Sequence, residues 1–183
     1  MVPGFVFIWA LAWPAGWAIQ PESAFAALAH PQCLRCVIVR DQDGTVALLP
    51  NDRLTPGAVD PTQTRAQACR PERQRRANEN ARRVPPAMRR AVFAAYGIAA
   101  PPAQWGRAYE LDHRVPVKLE GLSAPENLWP QPRLAHGGAG DKDALENTII
   151  RAVCRARSMT LADGQRVFLG DWRAAYLRYV RGR

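Results

Sequence analysis

Apolar runs separated by turn-forming residues predict β-structure in two parts of this chain. Residues 37–39 and 45–49 are apolar on either side of an Asp-Gln-Asp-Gly turn, a pattern typical of a β-hairpin. Residues 111–119 alternate loosely between apolar and polar positions and are interrupted at Pro116, so we expect two short strands around a tight bend. Residues 127–131 are a further strand candidate, limited by neighbouring prolines.

Helical spacing of apolar residues predicts helices over 87–96, 141–157, 161–168 and 170–180. Gly97 is a typical terminator for the first of these helices, and Asp141 suits the N-cap of the second. The expected core positions are Met88, Val92, Phe93 and Tyr96 in the first helix and Trp172, Tyr176 and Tyr179 in the last. This mixture of strands and helices indicates an α+β fold.

The segments between these elements are rich in residues that interrupt regular structure. Residues 51–64 and the Pro-Pro pair at 101–102 predict loops, and the glycine-rich segment 137–140 predicts a flexible turn. The arginine-rich segment 74–83 is compatible with either a helix or an extended, solvated chain.

The first 29 residues have the features of an export signal. An apolar run over 5–19 precedes small residues suited to cleavage, although no Lys or Arg lies before Arg35. Pro14 and Gly16 interrupt the run, which argues against a stable membrane-spanning helix. We therefore expect residues 1–29 to be a cleaved signal peptide and residues 30–183 to form one domain. The mature protein is expected in the periplasm or outside the cell, without stable membrane insertion.

Four cysteines lie beyond the predicted cleavage site: Cys33, Cys36, Cys69 and Cys154. An even number in an exported chain predicts two disulfides. We favour Cys69–Cys154 as a link across the fold and Cys33–Cys36 as a local bridge. Cys33 and Cys36 could instead form half of a structural zinc site, but a second close pair of cysteines is missing.

The charge of the chain favours a polyanionic partner. The formal net charge is +9 and the sequence pI is about 10.2. Of the 25 basic residues only Lys118 and Lys142 are lysines, and the others are arginines. The planar guanidinium group suits phosphate oxygens, although a GC-rich genome would also enrich arginine. Charge alone therefore indicates nucleic acid or another anionic surface.

Residues with the chemistry of a phosphodiester hydrolase lie close together in the sequence. Asp112 and His113 are adjacent, and Asn127 and His136 follow. A carboxylate can bind a divalent cation, an imidazole can act as a general base near neutral pH, and an amide can orient a neighbouring group.

Three motifs resemble those of small exported bacterial HNH endonucleases, the ββα-metal class. They are Tyr-Glu-Leu-Asp-His at 109–113, Asn-Leu-Trp-Pro at 127–130 and Lys-Asp-Ala-Leu-Glu at 142–146. The resemblance implies a ββα-metal core over about 109–157, with flanking helices, the N-terminal hairpin and the disulfides around it. It also implies metal-dependent hydrolysis of phosphodiester bonds in DNA, or in RNA. No base-reading element is evident in the sequence, so we expect little sequence specificity.

The resemblance assigns roles to individual residues. His113 matches the general base, Asp112 matches a metal ligand, and Asn127 matches the residue that orients the base or pins its loop. The third motif position is a further metal ligand near the start of the following helix. The ligand candidates are therefore Asp112, His136, Asp143 and, as an alternative, Asp141. The implied cofactor is one divalent cation, Mg²⁺ in the first place, with Mn²⁺, Ni²⁺ or Zn²⁺ as alternatives.

Basic residues are expected to hold the polynucleotide by its phosphates. Residues 65–90 contain a run of arginines, which beside a nuclease motif becomes a candidate phosphate track. Lys118 stands where family members usually have an acidic residue. The candidate contacts are Arg73, Arg75, Arg76, Arg82, Arg83, Arg114 and Lys118.

Two other function classes fit parts of the sequence. One is an exported nucleic-acid-binding protein with a degenerate, inactive HNH motif, which the cation at Lys118 and the blurred third ligand motivate. The other is a structural zinc protein that uses Cys33 and Cys36. The sequence does not identify an immunity or inhibitor protein.

Overall fold

The computed structural model describes residues 33–81, 83–98 and 102–182. The strands are β1 (Val37–Arg40), β2 (Val46–Leu49), β3 (Tyr109–His113) and β4 (Leu128–Pro132). The helices are α1 (Arg65–Ala68), α2 (Pro71–Ala81), α3 (Pro86–Ala95), α4 (Pro102–Ala108), α5 (Ala139–Arg151), α6 (Leu161–Leu169) and α7 (Trp172–Tyr179). Val117–Leu119 and Pro125–Asn127 are 3₁₀ turns, and Ala152–Ala156 continues α5 as a π-helix. The α+β class is confirmed, while the predicted signal peptide and Arg82 lie outside the described residues.

β1 and β2 form the predicted hairpin. They pair antiparallel, with Val37 opposite Leu49. The backbone N–H of Asp41 donates to the carbonyl of Thr45 at 2.9 Å. Gly44 has a φ of 83°, a left-handed conformation that glycine adopts without a steric penalty. The Asp-Gly signal in the sequence therefore identified this turn correctly.

β3 and β4 form a second antiparallel pair, in which Asp112 lies opposite Trp129. The prediction of a strand at β4 is confirmed, but the prediction of two strands over 111–119 is wrong. After β3 the chain leaves the sheet and enters a 3₁₀ turn. The buried side chain of Asn127 bonds both the N–H and the carbonyl of Val115. These backbone groups are consequently satisfied by a side chain instead of a neighbouring strand.

α5 begins two residues before the predicted N-cap, Asp141. Gly138 occupies the N-cap position, and the carboxylate of Asp141 accepts a hydrogen bond from the N–H of Gly137 at 2.7 Å. A side chain at Gly137 would collide with the backbone carbonyl of Val46 in β2. The glycine-rich segment therefore permits a close backbone contact with β2 and leads directly into α5.

Two segments that the sequence left open or predicted as a loop are helical. The arginine-rich segment forms α2, and α4 begins at Pro102, inside the Pro-Pro pair that was predicted as a loop. The first residues of α2, α3 and α4 are Pro71, Pro86 and Pro102. Proline is favoured at the first helical position because its fixed φ suits a helix and its missing N–H is not needed there.

Two clusters of buried apolar side chains make up the core. One contains Phe93 of α3 and Trp129 of β4, and Phe93 stacks on Trp105 with 4.1 Å between ring centroids. The other contains Leu145 of α5 and Trp172 of α7. β3 and β4 thus contribute side chains to the first cluster, and α5 contributes side chains to the second.

The predicted core positions are largely confirmed. Buried as predicted are Val92, Phe93, Tyr96, Trp172 and Tyr176, with Met88 partly buried. Tyr179 is 39% exposed, so its predicted core position is wrong. It is the last residue of α7.

Both predicted disulfides are present, Cys33–Cys36 and Cys69–Cys154. The structural zinc hypothesis for Cys33 and Cys36 is therefore wrong, because a thiolate is needed to bind zinc and both sulfurs are paired. Of the described helices, none is long and apolar enough to cross a membrane.

The two disulfides should contribute unequally to stability. Cys69 and Cys154 are 85 residues apart in sequence, whereas Cys33 and Cys36 are separated by three. Because a longer closed loop removes more entropy from the unfolded chain, replacing both Cys69 and Cys154 by alanine should lower the free energy of unfolding by roughly 4–5 kcal/mol. Replacing Cys33 and Cys36 should lower it by about 2 kcal/mol. Urea denaturation of both double variants measures this, and a larger loss for the Cys33–Cys36 variant would contradict it.

Candidate active site

β3 ends at a small cleft that contains three of the predicted site residues, Asp112, His113 and Lys118. Asp112 and His113 line the cleft together with Lys118 and Glu146, and its volume is about 60 Å³. The end of β3, the following 3₁₀ turn and α5 supply these side chains. Residues from three separate elements are thus brought to one place.

The imidazole of His113 is buried and held at one ring nitrogen. The residue is 3% exposed, and Nε2 lies 2.8 Å from the hydroxyl of Ser123. Burial lowers the pKa of His113, although the neighbouring Asp112 carboxylate opposes this effect. At neutral pH the ring is therefore uncharged, which is the state in which an imidazole can accept a proton.

The side chain of Lys142 is buried behind the cleft and contacts polar groups of Asp112, His113 and Glu146. Its ammonium group is 2.7 Å from the Asp112 carboxylate and 2.5 Å from that of Glu146. It also donates to the backbone carbonyl of His113 at 2.9 Å. Burial alone would lower the pKa of Lys142, but the two carboxylates outweigh burial and raise it. The lysine is therefore charged, and it fixes both residues of the Asp-His pair.

Acidic groups outnumber the buried cation. Lys142 carries one positive charge against the carboxylates of Asp112 and Glu146. Burial, opposed by Lys142 and reinforced by Asp112, raises the pKa of Glu146 to about 7. Burial and the charge of Asp112 also raise the pKa values of Glu110 and Asp143. This excess of carboxylates would favour a further cation at the cleft.

Asn127 pins the loop that follows β3. It is completely buried. Its amide accepts from the Val115 N–H at 2.9 Å and donates to the carbonyls of Val115 and Leu122 at 2.9 and 3.0 Å. Of the two roles predicted for Asn127, these contacts favour holding the loop. The group that touches the imidazole is Ser123, which lies in that loop.

Arg114 was predicted to contact phosphate, but its side chain lies inside the fold. The residue is 4% exposed. Its guanidinium donates to the Asp52 carboxylate at 2.5 Å, to the Thr55 carbonyl at 2.6 Å, and to the carbonyls of Phe168 and Leu169. These contacts join the loop before α1 to the end of α6. The predicted phosphate contact is therefore corrected to a structural role, because the donors of Arg114 are occupied inside the fold.

The candidates for the third metal ligand are not gathered at the cleft. His136 is exposed in the loop before α5, and the Asp141 carboxylate is ion-paired with the buried Arg173. Asp143 is closer, since its charge interacts with that of Asp112. Across the described ranges, no group of three or more His, Cys, Asp or Glu residues is arranged to hold a metal ion.

The predicted phosphate-binding residues divide into separate groups. Lys118 lines the cleft. Arg73 is ion-paired with the buried carboxylate of Glu120, and Arg75, Arg76 and Arg83 are exposed. Arg82 lies outside the described residues.

Sequence reasoning missed two residues that shape the site, Ser123 and Lys142. No motif marks Ser123, because its contact with His113 depends on how the loop folds back. Lys142 was noted only as part of a motif. A usable signal was its place four residues before Glu146, since residues at this spacing face each other on a helix.

Replacing Lys142 by methionine should destabilise the fold strongly. The change leaves the Asp112 and Glu146 carboxylates without their buried cation, so we expect a loss of roughly 3–5 kcal/mol in the free energy of unfolding. Lys118 is the only other lysine, and it forms no ion pair with a described residue. Lys118→Met is therefore a matched control, with an expected change below about 0.5 kcal/mol. Urea denaturation in EDTA at pH 7 compares the two, and equal losses would argue against this role.

The raised pKa of Glu146 should make stability depend on pH. Its ordinary value is 4.5 and its folded value is about 7, so the folded state binds a proton that the unfolded chain releases. This stabilisation is fully present below about pH 4.5 and is lost as pH rises through about 7. Across that window the metal-free wild type should lose on the order of 2 kcal/mol relative to Glu146→Gln. Parallel pH profiles of unfolding free energy for the two proteins would refute this assignment.

Comparisons with known proteins found no relative of this chain. No family model, no curated protein and no solved structure matches the chain. The function is accordingly argued from the geometry of the cleft and the chemistry of its residues.

Proposed function

We propose that this protein is a metal-dependent endonuclease of the HNH type, which hydrolyses phosphodiester bonds within polynucleotides. The observation that carries the proposal is a buried, neutral imidazole beside a carboxylate in one cleft, at His113 and Asp112. The chain order β3, β4, α5, with β3 and α5 lining this cleft, is the order expected for the ββα-metal core that the sequence motifs resemble.

The donor groups fit a hydrated Mg²⁺-class ion better than an enclosed zinc ion. Structural and catalytic zinc sites use three or four protein ligands, and the described residues offer no such group. Mg²⁺ keeps several waters and binds through one or two carboxylates together with substrate phosphates. Asp112 would hold the ion, with Asp143 as the second carboxylate. A bound ion would supply positive charge at the scissile phosphate and the leaving oxygen.

His113 takes a proton from the attacking water. The water oxygen forms the new bond to phosphorus, and the bond between phosphorus and the leaving oxygen breaks. Nε2 of the ring is hydrogen-bonded to Ser123, and Nδ1 is the proton acceptor in the tautomer whose Nε2–H donates to that hydroxyl. Asn127 keeps the loop with Ser123 close to β3, and Lys142 keeps Asp112 in place.

The positive charge of the chain supports a polynucleotide substrate. The net charge is +9, and the phosphate backbone of DNA or RNA provides anionic groups at every nucleotide. Contacts to phosphate carry no sequence information, so we expect weak sequence preference and a steep dependence on salt. The two disulfides suit action in the periplasm or outside the cell, since disulfides persist in oxidising compartments.

A second candidate function is nucleic-acid binding without cleavage. It is favoured by Lys142, which already neutralises part of the charge of Asp112 and Glu146. A plasmid assay with Mg²⁺ or with EDTA separates the two functions. A nuclease converts supercoiled plasmid to nicked circles only with the cation, whereas a binding protein slows migration and leaves the plasmid intact.

Replacing His113 by alanine should reduce plasmid cleavage by about 10²–10⁴-fold, because the general base is lost. His136→Ala removes the exposed imidazole of the loop before α5 and serves as the matched control, with cleavage expected to remain near the wild-type rate. Nicking rates of both variants in Mg²⁺, with circular dichroism to confirm folding, give the measurement. Wild-type cleavage by a folded His113→Ala variant would disprove the assignment of the base.

A further inference from the structure

A second, larger groove lies on the arginine-rich helix α2. Its volume is about 330 Å³, and its walls come from the loop before α1, from α1, from α2 and from the 3₁₀ turn after β3. The cationic residues in its lining are Arg70, Arg73 and Arg76. Arg73 and Arg76 are three residues apart on α2, which places them on the same side of the helix, and Arg70 immediately precedes α2.

The groove and the catalytic cleft are neighbours. Ala77 and Val117 line both of them, so the two depressions meet along α2 and the 3₁₀ turn. A chain bound in the groove would therefore run directly past Asp112 and His113. This continuity is what separates the groove from other charged parts of the surface.

The three arginines of the groove have different roles. The guanidinium of Arg73 is held by two hydrogen bonds to the buried Glu120 carboxylate, which anchors α2 beside the 3₁₀ turn. In the part of the chain that the structure describes, Arg70 and Arg76 have neither an ion pair nor a side-chain hydrogen bond. Glu72 also lines the groove and offsets part of its charge. Arg70 and Arg76 are therefore the cations available to an anionic ligand.

The lining indicates which part of a polynucleotide the groove would contact. Its polar members are arginine, glutamine and glutamate, and its apolar members are Ala77 and Val117. The lining contains no aromatic side chain on which a base could stack. Arginine and glutamine side chains are suited to phosphate oxygens and sugar hydroxyls.

We propose that this groove binds the sugar–phosphate backbone of the polynucleotide next to the scissile bond, with Arg70 and Arg76 as its phosphate contacts. The inference rests on the proposed nuclease function and deepens it, because it makes a flanking phosphate part of the preferred substrate. A small diester that reaches only the cleft gains nothing from the groove. The protein should consequently favour polymers over isolated phosphodiesters.

The test compares two double variants that lose the same charge. Arg70→Gln/Arg76→Gln removes the two available groove cations. Arg107→Gln/Arg155→Gln removes two exposed arginines that do not line the groove. Each protein is assayed in Mg²⁺ with a DNA duplex and with bis(p-nitrophenyl) phosphate, and duplex binding in EDTA is measured by fluorescence anisotropy over a range of salt.

The groove variant should bind the duplex about tenfold more weakly, and its log–log salt slope should be smaller by about 2, because two phosphates are no longer neutralised by arginine. Its KM for duplex should rise in parallel, while kcat/KM for the small diester stays at the wild-type value. The control variant should keep affinity, salt slope and KM within about twofold of wild type. Equal losses in the two variants, or no loss in the groove variant, would overturn the groove proposal while leaving the nuclease function intact.

The same experiment also tests the proposed nuclease function itself. If the wild type hydrolyses neither substrate in Mg²⁺, the proposed chemistry is wrong. The anisotropy data then decide the groove separately. Selective weakening by Arg70→Gln/Arg76→Gln supports it as a backbone-binding site, and unchanged binding rejects it.

Discussion

The ammonium group of Lys142 is the interaction on which the rest of this structure depends. It bonds two carboxylates and the carbonyl of His113 at a position closed to solvent. A buried charge is tolerated only when opposite charges and hydrogen bonds surround it. The lysine, Asp112 and Glu146 therefore stabilise one another only as a set. Because Lys142 and Glu146 are on α5 and Asp112 is on β3, this set joins the helix to the strand that carries the candidate base.

Buried polar contacts also fix the irregular parts of the chain around the cleft. Arg114 connects Asp52 and the Thr55 carbonyl to the end of α6. Arg173 joins Asp41 of the hairpin turn to Asp141 in the first turn of α5. Asn127 satisfies the backbone of the loop after β3. Each of the described sheets has two strands. These buried contacts and the Cys69–Cys154 disulfide therefore hold distant segments together, as strand pairing does in a larger sheet.

The arginines show why net charge alone describes a surface poorly. Arg114 and Arg173 are enclosed, and each is ion-paired with one or two carboxylates. Arg73 is engaged with Glu120. Arg70 and Arg76 remain for an external anion beside the cleft. The same residue type thus supports the interior, anchors a helix or lines an open groove, according to the partners that folding places around it.

Local patterns in the sequence determined much of the fold. The Asp-Gly turn defined the hairpin, the apolar spacing around Phe93 defined the inner face of α3, and the cysteine count matched the two disulfides. The turn and the helix face depend on residues that are close in sequence, and the number of disulfides follows from the even number of cysteines. Asp112 and His113 both line one cleft, which their adjacency alone does not ensure, because successive side chains of a strand point to opposite faces. The strand predicted after Pro116 is absent, because the backbone there closes a 3₁₀ turn in which the N–H of Leu119 bonds the carbonyl of Pro116.

Only the tertiary structure decided which polar groups meet. The contact of Ser123 with His113, the position of Lys142 behind Asp112 and the enclosure of Arg114 all join residues from separate elements. His136 has the same chemistry as His113 but stays exposed, because its loop carries it away from the carboxylates. The sequence by itself determined which reactive groups the chain possesses and the local elements that carry them. Folding determined their surroundings, and it is desolvation and charge in those surroundings that make one imidazole a candidate base and leave the other solvated.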